Sequence, residues 1–163
     1  MNLVRPGAHA LRLLPLAVLL SGCAGAPLTP DDGRYSEDGV REAAEQWIGH
    51  FTAGDLDGLM ALYADDPFVA LHGQPAMRGR QAVRTYFDGR IGAPGVAFRI
   101  APESISIRGD TAILVSKYWF EVPRTDAAAY RDAGRSLIVY HWDDARGWLL
   151  ATDIDQSTPD VRW

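Results

Sequence analysis

The sequence predicts an α+β fold, with three helices packed on one face of a strongly curved antiparallel sheet. Two observations carry this. Between Val40 and Phe87 apolar residues recur at helical spacing, broken by Gly54 and Gly79. From Gly95 onward the pattern turns to β-branched and aromatic runs separated by hairpin-like turns. Helices first and strands afterwards describe an α+β layout, and helices covering one face of a half-barrel leave a concave mouth for a small ligand.

The elements follow in order. Arg5 and Arg12 give residues 1–22 a positive start, and Leu11 to Leu20 is almost wholly apolar. That run has the length of a signal-peptide core and is too short to span a bilayer. It closes on Leu20-Ser21-Gly22-Cys23, and Cys23 is the only cysteine. The tetrapeptide resembles a bacterial lipobox. The expectation is a lipoprotein signal peptide over 1–22, lipidation of Cys23, and a membrane partner reached through that lipid. Ala24 after the cysteine fits the outer membrane, facing the periplasm, in a cell with two membranes. Residues 23–35 are small, polar and interrupted by Pro27 and Pro30, which predicts a flexible tether. The domain proper is expected over 36–163.

Ser36 reads as the N-cap of the first helix, with Glu37 and Asp38 on its positive end. Val40, Ala43, Ala44, Trp47, Ile48 and Phe51 form its apolar face. Asp55 caps a second helix with Leu56, Leu59, Met60 and Tyr63 on one face, expected to end at Asp65-Asp66-Pro67. Residues 68–72 read as a short strand, and Arg80 to about Phe87 as the third helix. Residues 96–100, 104–108, 112–122, 136–142 and 148–154 read as strands, with 123–134 as a loop or short helical excursion. Gly109-Asp110 marks one hairpin and residues 143–147 a longer one.

Removing Arg5 and Arg12 from the 16 basic and 21 acidic side chains leaves residues 23–163 a formal charge of −7. This acidic, well-mixed pattern argues against nucleic-acid partners. There is no nucleophile elbow, P-loop, dinucleotide fingerprint or zinc-ligand spacing, so neither cofactor nor metal is expected.

Residues 53–66, Ala-Gly-Asp-Leu-Asp-Gly-Leu-Met-Ala-Leu-Tyr-Ala-Asp-Asp, resemble the signature of the nuclear-transport-factor-2-like superfamily, in its SnoaL-like and steroid-isomerase-like branches. Residues 79–87, Gly109-Asp110-Thr111-Ala112 and Gly147-Trp148 match later parts of the same pattern, and the resemblance covers roughly 38–158. It implies a cone-shaped fold and, as relatives often show, a homodimer through the open sheet face. The fold hosts isomerases, cyclases, dehydratases and binding modules, so it does not name an activity. The steroid-isomerase branch needs a tyrosine, a general-base carboxylate and a late-strand aspartic acid. Laid on this chain, those positions hold Trp47, Leu71 and, near the last, Val139. Leucine carries no proton and an indole N–H is only a donor, so that mechanism is not expected here.

The remaining candidates for acid–base work are His141, Asp153, Asp155 and His72. His72 follows Leu71 and on a strand would face the opposite way. Asp153 and Asp155 share a strand face. Trp47, Phe51, Tyr63, Phe87, Trp119 and Tyr140 are the candidate ligand-binding aromatics, and Lys117 is expected to reach toward a rim. Three readings follow. The first is an envelope lipoprotein binding a small apolar or amphipathic ligand in its cone. The second is a SnoaL-like isomerase, cyclase or dehydratase using Asp153 or His141. The third is an interaction module. A buried carboxyl or imidazole with a displaced proton affinity would favour the second.

Overall fold

The computed structural model describes residues 35–163. The expected signal segment, Cys23 and residues 24–34 of the tether lie outside the described residues; Tyr35, expected to be the tether's last residue, instead packs edge-on against Trp142 at 5.7 Å. No described helix is long and apolar enough to cross a membrane.

Helix α1 spans Glu37–Ala53. Ser36 Oγ accepts from Gly39 N at 3.1 Å, and Gly54 closes the helix in the left-handed region at φ 75°. Val40, Ala43, Ala44 and Phe51 are buried, as the spacing predicts. Helix α2 spans Leu56–Ala61, and the Asp55 carboxylate accepts from Gly58 N at 2.9 Å. It is shorter than expected, because strand β1 (Tyr63–Ala70) begins where the helical pattern still runs. Leu150 N donates to Leu62 O at 2.8 Å, and Tyr63 pairs in parallel with Leu150. A long-range ladder thus overrides local helix propensity. Pro67 lacks an N–H and sits where the β1 register shifts, between Tyr63 and Phe68.

A two-residue strand β2, Met77–Arg78, pairs with β1 and leads through Gly79 into helix α3, Arg80–Phe87. Strand β3, Ala97–Arg108, is one strand where two were expected. A bulge between Pro102 and Ser104 lets it continue, and its edge position tolerates the proline. Strand β4 spans Thr111–Val122, β5 Tyr130–Asp143 and β6 Gly147–Ser157. Strand β5 therefore starts inside the segment read as a loop. The order is β2-β1-β6-β5-β4-β3, antiparallel except for β1 beside β6.

The bulge in β3 and another between Val139 and Tyr140 increase the bend of this sheet, and the helices pack on its inner face. Leu59, Tyr63, Val69, Val83, Leu114 and Leu150 form the fully buried centre. The outer face carries Ile113, Leu137 and Ile154, each about two-fifths exposed, with Leu137 paired to Val115 and Ile154.

Candidate functional site

Inner-face residues of β4, β5 and β6 and the buried faces of α1 and α3 enclose a cavity of about 600 Å³. That is the size range of sites for drug-sized ligands. Strand alternation sets its wall. Along β5, Tyr140, Ile138, Ser136, Asp132 and Tyr130 face inward. Register then places Asp153 beside Ile138 and Asp155 beside Ser136. From α1, Trp47 and Phe51 stack at 5.1 Å, and Phe98 meets the Trp47 ring at 5.4 Å.

Asp153 is the chemical centre of this cavity. Its residue is only 7% exposed, and its carboxyl makes no hydrogen bond with another described residue. Burial penalises its charge, the nearby Asp155 adds repulsion, and its pKa is pushed up to about 7. The Tyr140 hydroxyl is buried and unpartnered, and burial followed by the Asp153 charge raises its pKa. Leaving such a group unsatisfied costs about 1–3 kcal/mol, unless something in the cavity accepts its proton. Asp155 is raised by burial, opposed by the bond it accepts from His72 N. Asp132 accepts from Tyr118 Oη at 3.0 Å and from Ser157 Oγ at 2.6 Å.

The structure brings together Trp47, Phe51, Phe87, His72, Tyr140, Asp153 and Asp155. His72 corrects the expectation of an opposite face: β1 ends at Ala70, so alternation stops and both Leu71 and His72 reach the cavity. Tyr63 is fully buried and does not line it, and its hydroxyl accepts from Trp47 Nε1 at 3.0 Å. Burial, then the Asp153 charge, holds the Tyr63 phenol well above its ordinary pKa. His141 and Trp119 belong to the outer face. His141 is exposed, with Nδ1 3.2 Å from Thr111 Oγ1, and alternates with inward Tyr140. The Trp119 ring lies under the Arg99 guanidinium at 3.9 Å, and its Nε1 donates to Arg162 O. Neither lines the cavity. Val139 also alternates with Tyr140 and does not line the cavity. Lys117 pairs with Glu103 at 3.4 Å on the outer side.

Sequence reasoning missed Asp132, Tyr130, Arg90 and Arg124, all of which line the cavity. Asp132, Tyr130 and Arg124 fall in the stretch read as a loop, and Arg90 lies just beyond the third helix. Among the described residues no group of His, Asp and Glu could hold a metal ion.

Among the described residues, fold and site together define a cone-shaped α+β domain whose cavity holds the buried carboxyl of Asp153 without a hydrogen-bond partner. Residues 40–151 match the model of the SnoaL-like domain family, and the chain belongs to that family. An NTF2-like protein with a cystatin-like fold from Novosphingobium aromaticivorans is 19% identical, with a TM-score of 0.65, covering 76% of this chain and 82% of that one. A Streptomyces avermitilis protein of the NTF2-like family, provisionally named a dehydratase, is 17% identical, with a TM-score of 0.67 and coverage of 75% and 95%. A ketosteroid isomerase-like protein from Erwinia carotovora is also 17% identical, with a TM-score of 0.62 and coverage of 77% and 100%. These likenesses establish the fold. Comparison with curated proteins gives no match.

Proposed function

We propose that the domain binds a small apolar or amphipathic molecule in its cone and moves a proton on it, in an isomerase- or dehydratase-like reaction. The observation that carries this is Asp153: buried, facing the cavity, without a protein partner, and balanced between its two protonation states near neutral pH. A general base or acid works best with its pKa near the working pH. In this reading the Asp153 carboxylate takes a proton from a carbon next to a carbonyl. The Tyr140 O–H donates to the oxygen on which negative charge develops. Returning the proton to another carbon completes an isomerisation; giving it to a leaving hydroxyl completes a dehydration. This reading does not use the steroid-isomerase set, whose base and tyrosine positions fall, by the resemblance, at Leu71 and Trp47, both of which line the cavity.

The test is hydrogen–deuterium exchange at the α-carbon of small bicyclic ketones such as 1-tetralone, followed by NMR. Exchange should accelerate with the protein and rise as pH passes about 7, where Asp153 ionises. Tyr140→Phe should slow it by about 10²–10³-fold, the scale of one lost oxyanion donor, while leaving the fold intact. A protein that accelerates no member of the set would return the domain to binding alone.

The address of the domain is a second part of the proposal. The Leu20-Ser21-Gly22-Cys23 motif supports an exported lipoprotein at the cell envelope. Cys23→Ser should move the protein from the membrane fraction to the soluble fraction; continued membrane association would sink the lipid anchor. Homodimerisation through the sheet stays a proposal too, supported by the exposed outer-face side chains Ile113, Leu137 and Ile154.

A further inference from the structure

The rim of the cavity carries charge that the protein itself does not use. Most arginines of this acidic domain have carboxylate partners: Arg80 and Arg146 with Asp65, Arg84 with Asp57, Arg131 with Glu121, and Arg135 with Glu103. Arg90 and Arg124 line the cavity and make no ion pair among the described residues. Both are nevertheless held in place. The Arg90 guanidinium lies 4.9 Å from the centre of the Tyr86 ring and donates through Nη1 to Tyr86 O. The Arg124 guanidinium lies 5.7 Å from the centre of the Tyr130 ring. Tyr86 and Tyr130 both line the cavity, and Tyr130 is near enough to act electrostatically on Tyr86.

The acidic wall is arranged differently. Asp132 is occupied by two hydroxyl donors and Asp155 by the His72 N–H. Those carboxylates are turned toward protein donors, while the two guanidiniums keep free N–H groups at the opening. A guanidinium matches an oxyanion with two oxygens in bidentate geometry, which a neutral ligand cannot use.

We propose that the molecule taken by the cavity carries an anionic oxygen head group, a carboxylate or a phosphate. Arg90 and Arg124 hold that head at the rim. The apolar body lies along Trp47, Phe51, Phe98 and Phe120, and the reacting end points toward Asp153 and Tyr140. This rests on the reading of the cavity as a ligand site and adds the class of ligand.

A matched pair of fluorescent dyes tests it on the purified domain by equilibrium titration. One is 8-anilinonaphthalene-1-sulfonate; the other is N-phenyl-1-naphthylamine, the same rings without the charged group. The sulfonate should bind at least about fivefold more tightly, as expected for charge-assisted bonds from exposed arginines. The double variant R90Q/R124Q should lose that preference while its affinity for N-phenyl-1-naphthylamine stays within about twofold, and R90K/R124K should keep part of it. Bound sulfonate dye should be displaced by 2-naphthoate or 2-naphthyl phosphate and not by 2-naphthol. Whichever of the two acids displaces it at lower concentration identifies the head group. Equal affinity for the two dyes, or a preference untouched in R90Q/R124Q, would overturn the proposal. The readout is binding alone, so it separates from the chemistry. A dye preference without ketone exchange refutes only the acid–base reading, and ketone exchange without a dye preference refutes only the anionic head.

Discussion

Asp153→Asn should make the domain more stable at pH 8 and leave it without proton transfer. An isolated aspartic acid ionises near pH 3.9, and Asp153 in the folded domain near about 7. Between those values the folded state holds a proton that the unfolded chain has released. Stability is therefore lost as pH rises from about 4 to about 7, and the loss is complete above that. Three units at about 1.36 kcal/mol each set an upper bound near 4 kcal/mol. Because the cavity opens to solvent, a gain of about 2 kcal/mol is the expected value for the neutral amide. Thermal melts should show the variant about 5–10 °C above the parent at pH 8 and close to it at pH 4. Ketone exchange should fall by about 10²–10⁴-fold, the usual worth of a positioned general base. A stabilisation equal at both pH values would show that Asp153 is not held away from its ordinary ionisation. Loss of the stability gain at pH 8 would remove the main support for its catalytic role. A residue retained at such a cost is what a site under functional demand looks like.

The helices were legible because their signals are local. Ser36 and Asp55 cap them from within three residues, and the apolar faces of α1 and α3 need no distant partner to be recognised. Tyr63 was misplaced for the opposite reason. Its spacing from Leu59 is helical, yet its backbone is claimed by β6, almost ninety residues later in the chain. The start of β5 was hidden in the same way. Arg131 and Asp132 look like loop residues until their partners Glu121 and Tyr118 arrive on the neighbouring strand β4. The pairing of Asp153 and Asp155 on one face could be read from their spacing. Which face is inward could not, because alternation has two phases and only the packed helices choose between them. That choice separates Tyr140 in the cavity from His141 on the outside, one residue apart.

Gly134→Ala should be the most disruptive single methyl addition along the cavity wall. Gly134 pairs with Tyr118 on one side and with Ser157 on the other. A Cβ built there would stand 1.9 Å from the Gln156 carbonyl oxygen, 2.7 Å from its carbon and 2.8 Å from Ser157 Cα. All three are backbone atoms, so no side-chain rotation relieves the contact, and β6 must move away from β5. The movement would fall where Ser157 and Tyr118 hold Asp132, and one step from the pairing of Ser136 with Asp155. Overpacking of this kind costs about 3 kcal/mol or more. Gly49 supplies the control. It lies within α1 with open space around it, so Gly49→Ala should stabilise by about 0.5–1 kcal/mol through helix propensity alone. Urea unfolding of the two variants should therefore move in opposite directions from the parent. Dye binding should weaken in Gly134→Ala well below its unfolding midpoint and stay unchanged in Gly49→Ala. A Gly134→Ala protein as stable as the parent would refute the close approach of β5 to β6. That approach is what lines up Asp132, Ser136, Asp153 and Asp155 along one wall, so the arrangement of the site would fall with it.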